Sequence, residues 1–384
     1  MLLRTHPMPS LGKLEDGLRQ RIHDQIQNSG PISFAEYMRL CLYDSEFGYY
    51  MRTPESRRSD YYTSVDMSPV FARLIARQLH EMWQLLDRPQ GFSVVECGSA
   101  GGALANGILK FSRDELPDFY ASLRYHGVEI SPLRRQLAAQ LLAAHVSSGH
   151  ATVRAEMPET LPQGCVLANE LLDALPVHRV AFQGGTLREI FVDSSDGKFC
   201  EKLLPASPRI CEFFERQRVA LREGQQAEAG LDACEWAERV GRLIGRGFAL
   251  IIDYGRESRE LYDERHMRGT LLAYSSHRSS EDFYRAPGEQ DLTAHANFTA
   301  LDLWGRNSGL IRTGLTSQTN FLLSLARHNN FADLEIKSAG EVENFRARLQ
   351  FKSLIYPEGM GETFQVMVQH KGVPAPVPTG LAPL

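Results

Sequence analysis

The spacing of apolar positions changes along the chain, and the change divides it. Between Lys13 and Gln27, Leu14, Leu18, Ile22 and Ile26 recur every four residues, which predicts an opening amphipathic helix. SFAEYMRLCLYD, from Ser33, predicts a second helix in which Ser33 and Glu36 have the spacing of a capping box. The aromatic and polar stretch GYYMRTPESRRSDYYTS reads as a loop before a third helix, Pro69 to Leu86.

Short apolar runs follow, separated by helical stretches: FSVVECG, RYHGVEIS, CVLANELL and FALIIDYG. VVEC and ALIID are apolar on consecutive residues, which predicts parallel strands covered on both faces. Between the third and fourth runs, Gly184-Gly185 and Asp196-Gly197 separate β-prone segments as hairpin turns do, so a small antiparallel insertion is expected at about 177–205. The stretch from about 255 to 310 is too long for a plain connection and is a candidate substrate-covering region. Phe364 to Gln369 predicts the last strand, and the Pro-rich tail PAPVPTGLAPL is expected to be extended or disordered. The fold class is therefore α/β, with a doubly wound, Rossmann-like sheet.

Composition narrows the function. With 43% hydrophobic and 23% charged residues, the 384-residue chain can bury a substantial core. A net charge of −5 without a basic footprint argues against nucleic acid as a partner. No apolar stretch reaches the length of a signal or membrane span, and the six scattered cysteines form no C-x-x-C pair. These features lead to the expectation of a reduced, metal-free cytoplasmic protein that does not engage a membrane.

VVECGSAGGALANGIL joins a buried strand to a helix through small residues, Gly98 to Gly102. Such a turn lies at the carboxyl edge of a parallel sheet and lets a ligand approach backbone. It is not G-x-G-x-x-G, and Glu96 would sit poorly beside a pyrophosphate. Glu96 suits a ligand with an amino group or sulfonium charge, and Glu129, ending the next strand, suits two ribose hydroxyls; together they fit S-adenosylmethionine. The residues alone leave a second reading open, in which Glu96 caps a helix and Glu129 faces solvent.

Nine ordered segments extend the pattern over most of the chain: GPISFAEYMRLCLYDSEFGYY, DYYTSVDMSPVF, the glycine loop, YHGVEISPLRRQ, ANELLDALPVHR, IIDYG, GTLLAYSSHR, PGEQDLTAHANFTAL and PEGMGETFQVM. In these the chain resembles the MidA family of bacterial and mitochondrial S-adenosylmethionine-dependent methyltransferases, which includes a complex I assembly factor known as a protein arginine methyltransferase. The family's usual loop E-L-G-P-G-R-G-T-L reads here E-C-G-S-A-G-G-A-L, so Ala100 stands for glycine and Gly101 for arginine; Ser45 and Asp66 replace a proline and a glutamate. The resemblance implies a class I methyltransferase core over residues 89–371. It also implies an N-terminal helical, cofactor-covering region over 1–88, a flexible tail over 372–384, and a protein arginine as acceptor, in a complex I subunit or a related assembly target.

The expected cofactor set is Glu96, Gly98, Ala100, Gly102, Glu129 and Asn169, with Thr63 and Ser64 placed for the cofactor carboxylate under Tyr61 and Tyr62. For the acceptor, Glu170 and Asp173 are the preferred guanidinium clamp, on one face if a helical turn starts there; alternatively Asn169 or Asp173 caps a helix. Asp291 and His295, four apart, are expected to pair through one helical turn and complete the pocket, or else Asp291 begins a helix and His295 is a core histidine. Asp253 and Tyr254 border the acceptor or start a turn. A catalytically weak assembly protein, a small-molecule methyltransferase and a homodimer are left open.

Overall fold

The computed structural model describes residues 11–52, 69–275, 278–336, 340–356 and 361–384. Its strands in chain order are β1 (Ile32–Ser33), β2 (Phe92–Cys97), β3 (Leu123–Val128), β4 (Ala151–Arg154), β5 (Leu161–Asn169), β6 (His178–Gln183), β7 (Thr186–Ser195), β8 (Lys198–Pro205), β9 (Gln226–Ala229), β10 (Ile244–Arg256), β11 (Leu272–Ser275), β12 (Arg278–Ser280), β13 (Asp291–Thr293), β14 (Ala296–Asn297), β15 (Ile311–Ser317) and β16 (Phe364–Lys371). The chain forms two compact units: Met1–Tyr61 with Ala174–Leu231 and Tyr262–Ala294, and Tyr62–Asp173 with Asp232–Leu261 and His295–Leu384.

The second unit is the α/β one, with strand order β15-β16-β10-β5-β2-β3-β4 and β14 paired to β10. β10, β5, β2, β3 and β4 pair in parallel, whereas β16 runs antiparallel to both β10 and β15. The consecutive apolar residues behave as their pattern predicts. Phe92 and Val94 join the core formed with helices Pro69–Leu85 and Ala103–Glu115, while Val95 and Cys97 face Val240 and Leu243 on the other side. Each fully buried aliphatic of this kind contributes roughly 1.5–3 kcal/mol. Order in the sheet reverses at β2: the chain builds outward through β3 and β4, then returns to lay β5 against the opposite edge of β2. Open α/β sheets bind their ligands at such a reversal, outside the carboxyl ends of the strands, here those of β2 and β5.

The other unit holds the antiparallel sheet β1-β7-β6-β9, with β8 on β7. Its hairpins turn where the sequence predicts, with positive φ at Gly184, Gly185, Asp196 and Gly197. The expected N-terminal region over 1–88 is divided: the first two helices belong to this unit, where β1 pairs with β7 and Leu18, Ile22, Phe34 and Tyr37 share a core with Val192, whereas the helix Pro69–Leu85 belongs to the α/β unit. Ser33 caps the helix Phe34–Tyr43 by accepting from the Glu36 amide at 3.1 Å, but Glu36 pairs with Arg39, so the capping box is half formed. Strands β11, β12 and β13 form a small sheet in the order β12-β11-β13.

The expectation of a loose tail is corrected. Thr379 donates from its amide and its hydroxyl to Glu81, at 2.9 and 2.7 Å, and the Gly380 amide donates to the fully buried Gln78 at 3.1 Å. Charge-assisted and buried bonds outweigh the extended preference of a Pro-rich segment.

Candidate functional site

The glycine loop is held by its own backbone and by one carboxylate. After β2, the amides of Gly98 and Ser99 both donate to the Val128 carbonyl at the end of β3, at 2.9 and 3.0 Å, and the Gly102 amide closes the turn on the Ser99 carbonyl at 2.8 Å. Gly102, at φ +81°, begins the helix Ala103–Glu115 without a side-chain cap. Ala100 sits at φ +45°, the left-handed region that an L side chain enters at a cost of about 1–2 kcal/mol. Glu129 is 4% exposed; Oε2 accepts from the Ala100 amide at 3.0 Å and Oε1 from the Ser131 amide at 2.7 Å. Glu129 therefore does not face solvent, and each oxygen keeps a further lone pair for a ligand hydroxyl.

Glu96 lies on β2 beneath this loop, buried, and accepts from the Tyr125 hydroxyl at 3.0 Å. It caps no helix. Burial pushes its carboxyl up to about 7, with the Tyr125 hydrogen bond opposing and the charge of Glu129 adding to the rise. Two buried polar atoms at the same edge, Ser99 Oγ and Asn169 Oδ1, have no hydrogen-bond partner among the described residues. Buried polar atoms are nearly always satisfied, so this edge has the donor and acceptor capacity to hold a polar ligand. A Cβ built at Gly101 meets nothing within 4 Å, so the loop's outer side is open.

The ANELLD segment continues from β5. The Glu170 amide donates to the Ile252 carbonyl of β10 at 2.9 Å, and the chain then bends with Glu170 at φ +51°. No helical turn begins there, so neither the one-face helical clamp of Glu170 and Asp173 nor a helix cap by Asn169 or Asp173 is formed. Asp253, at the end of β10, organises the bend in their place. Its Oδ2 accepts from the amides of Leu171, Leu172 and Asp173 at 3.1, 2.7 and 3.4 Å, and its Oδ1 from Tyr254 at 2.9 Å. Burial, followed by the charge of Asp173 and, less strongly, that of Glu170, holds the Asp253 carboxyl well above the carboxylate range. Asn169 Nδ2 donates to Glu170 Oε1 at 3.2 Å, and a Cβ on Gly98 would come within 3.1 Å of Leu171, so the loop and the bend adjoin.

The Asp291–His295 pair is corrected. Asp291 opens strand β13 opposite Tyr274 and accepts from the Tyr50 hydroxyl at 2.8 Å, while His295 lies between strands with its ring edge-on to Tyr254 at 5.3 Å. Asp291 lies in a strand and His295 in the irregular segment after it, so no helical turn joins them. Tyr61, Tyr62, Thr63 and Ser64 lie outside the described residues. Two features escaped the sequence: the anchoring of the bend by Asp253, although IIDYG marked the position, and the orphaned Ser99 Oγ, which no pattern signals.

The sequence profile of the S-adenosyl-L-methionine-dependent methyltransferases matches residues 74–316, well over half the chain. The chain belongs to that family. S-adenosylmethionine is the cofactor of this methyltransferase, and the geometry fits it: a buried acidic pair, an open glycine loop and unspent polar atoms converge at the switch point. Among solved structures it is similar to a COG1565 superfamily protein from Burkholderia thailandensis bound to S-adenosyl-homocysteine, with 29% identity, a TM-score of 0.85 and 98% of each chain covered. It is 28% identical to the mitochondrial protein arginine methyltransferase NDUFAF7 homolog of Drosophila melanogaster, over 94% of this chain and 87% of that one. To human NDUFAF7, likewise named a mitochondrial protein arginine methyltransferase, it is 26% identical over 88% of this chain and 80% of that one. These relatives overturn the expectation of a cytoplasmic protein. That expectation rested on apolar stretch length and cysteine spacing, which do not report on an organelle address of other composition.

Proposed function

We propose that this methyltransferase transfers the methyl group of S-adenosylmethionine to an arginine side chain of a protein. The observation that carries the reading is the group of three carboxylates, Glu170, Asp173 and Asp253, at the carboxyl ends of β5 and β10, one strand from the glycine loop. Such a group suits a guanidinium, which carries five donors and a permanent positive charge. The names of the relatives from fly and human agree with that acceptor.

In this reading Glu96 takes the positive end of the cofactor. Glu129 takes the ribose hydroxyls, and Gly98, Ala100 and Gly102 let the cofactor approach backbone. Asn169 borders both partners, and Thr63 and Ser64 complete the cofactor site. Bound S-adenosylmethionine supplies an electrophilic methyl on a sulfonium. The chain's own task is to orient the acceptor nitrogen, hold its charge and exclude water. Glu170 and Asp173 clamp the guanidinium, Asp253 fixes the bend that presents them, and His295, edge-on to Tyr254, acts from outside the clamp. In this reading neither nucleic acid nor membrane takes part.

The test is transfer of labelled methyl groups into a lysate from cells lacking the protein. Label in a protein band, recovered as methylarginine and lost in Glu170→Ala, supports the reading. Label only in the low-mass fraction contradicts it and assigns a small-molecule acceptor. The strained Ala100 favours a second reading, an assembly protein of the same fold with lost turnover; tight cofactor binding without any transfer would establish it.

A further inference from the structure

The helix Glu341–Ile355 carries two apolar faces. Ala347, Phe351 and Leu354 are buried in the core of the α/β unit, whereas Val342, Phe345 and Leu349 are 68%, 58% and 50% exposed. Spacing of i, i+3 and i+7 sets these three in one stripe, and exposed Tyr356, seven residues past Leu349, continues its line. Scattered surface apolar residues need no explanation, but an aligned stripe marks a contact surface.

Charge is segregated along the same helix. Glu341 and Glu343 occupy the first turn, and Arg346, Arg348 and Lys352 lie beyond it. Among the described residues Glu341, Glu343, Arg346 and Lys352 form no ion pair within the chain, and Arg348 only meets exposed Glu335 at 3.8 Å. Viewed down the helix axis at 100° per residue, Glu341, Arg348 and Lys352 line one flank of the stripe, and Glu343 and Arg346 line the other.

We propose that this stripe is the contact between two copies of the chain, paired as antiparallel helices about a two-fold axis at Phe345. One register satisfies every group. Phe345 packs on Phe345 of the second copy and Val342 on Leu349; Glu341 stands opposite Arg348 and Lys352 on one flank, and Glu343 opposite Arg346 on the other. A parallel pairing would set each charge against its own kind. The pattern is therefore self-complementary in the sense a two-fold interface requires, and ion pairs flanking an apolar seam set partner and direction. A membrane surface fits less well, because acidic residues share both flanks with the basic ones.

Sedimentation velocity on the full chain between about 1 and 100 μM tests this, a range that spans the weak association a small interface supports. The wild type should show a concentration-dependent dimer. Phe345→Glu should weaken it at least ~10-fold with the melting temperature and S-adenosylhomocysteine affinity unchanged. Glu341→Lys should weaken it, and Glu341→Lys combined with Lys352→Glu in one chain should restore it, since only the antiparallel register places those two positions together. A wild type that stays monomeric throughout, whether or not it sediments with anionic vesicles, overturns the proposal. So does a dimer indifferent to Phe345→Glu, and so does a double variant that remains as weak as Glu341→Lys.

Discussion

Replacing Ala100 by glycine isolates the one place where the cofactor loop works against its own backbone. Ala100 holds φ at +45° while its amide donates to Glu129 at 3.0 Å, so the angle is fixed by a contact the site uses. Relief of the left-handed penalty returns about 1–2 kcal/mol, and the greater freedom of glycine in the unfolded chain takes back about 0.4–1 kcal/mol. A net stabilisation of about 0.5–1 kcal/mol remains, which raises the melting temperature by roughly 1–3 °C in a unit of this size. Differential scanning calorimetry without cofactor measures it, and isothermal calorimetry with S-adenosylhomocysteine should show affinity equal to or up to about fivefold above wild type. A melting temperature lowered by the substitution would refute the reasoning, because it would mean that Ala100 does not occupy the left-handed region. Gly101→Arg, at a position without positive φ and with open space around its Cβ, should leave the melting temperature unchanged.

Other outcomes follow from the same geometry. Because burial raises Glu96 from 4.5 to about 7, the folded state favours its protonated form. Its stabilising contribution is full below pH 4.5 and is lost as pH rises through about 7, an effect of order 3 kcal/mol. Glu96→Gln should flatten that part of the stability–pH curve by thermal melts; with Glu96 taking the cofactor's positive end as proposed, cofactor affinity should rise through pH 7 in wild type and not in the variant. Asp253→Ala strands the amides of Leu171 and Leu172, costs about 1–3 kcal/mol, and should lower kcat with little change in cofactor affinity; an unaltered kcat would remove Asp253 from the bend's support. Deleting residues 376–384 removes the bonds to Glu81 and Gln78 and should destabilise the α/β unit by about 3 kcal/mol, read as a lower denaturant midpoint.

What the sequence made legible was whatever local chemistry decides. Consecutive apolar residues in VVEC and ALIID marked β2 and β10, and paired turn residues marked the β6-β7-β8 hairpins. β1, by contrast, is two residues long and exists because β7, about 160 residues later, pairs with it. β15 has no buried residue along its length and presents no period to read. The segments carrying Asp291, His295 and Glu170 were misjudged for a similar reason. Residues four apart at Asp291 and His295 match a helix as well as a strand edge, and the pairing with Tyr274 decided between them. At Glu170 the helical reading failed because a remote carboxylate, Asp253, satisfies three consecutive amides that a helix would have turned elsewhere.

The central claim is that one acidic residue serves the cofactor while another serves the acceptor. Isothermal calorimetry with S-adenosylhomocysteine on wild type, Glu129→Ala and Glu170→Ala tests it most directly. Loss of binding in Glu129→Ala with wild-type affinity in Glu170→Ala is the predicted result, and equal loss in both would contradict it.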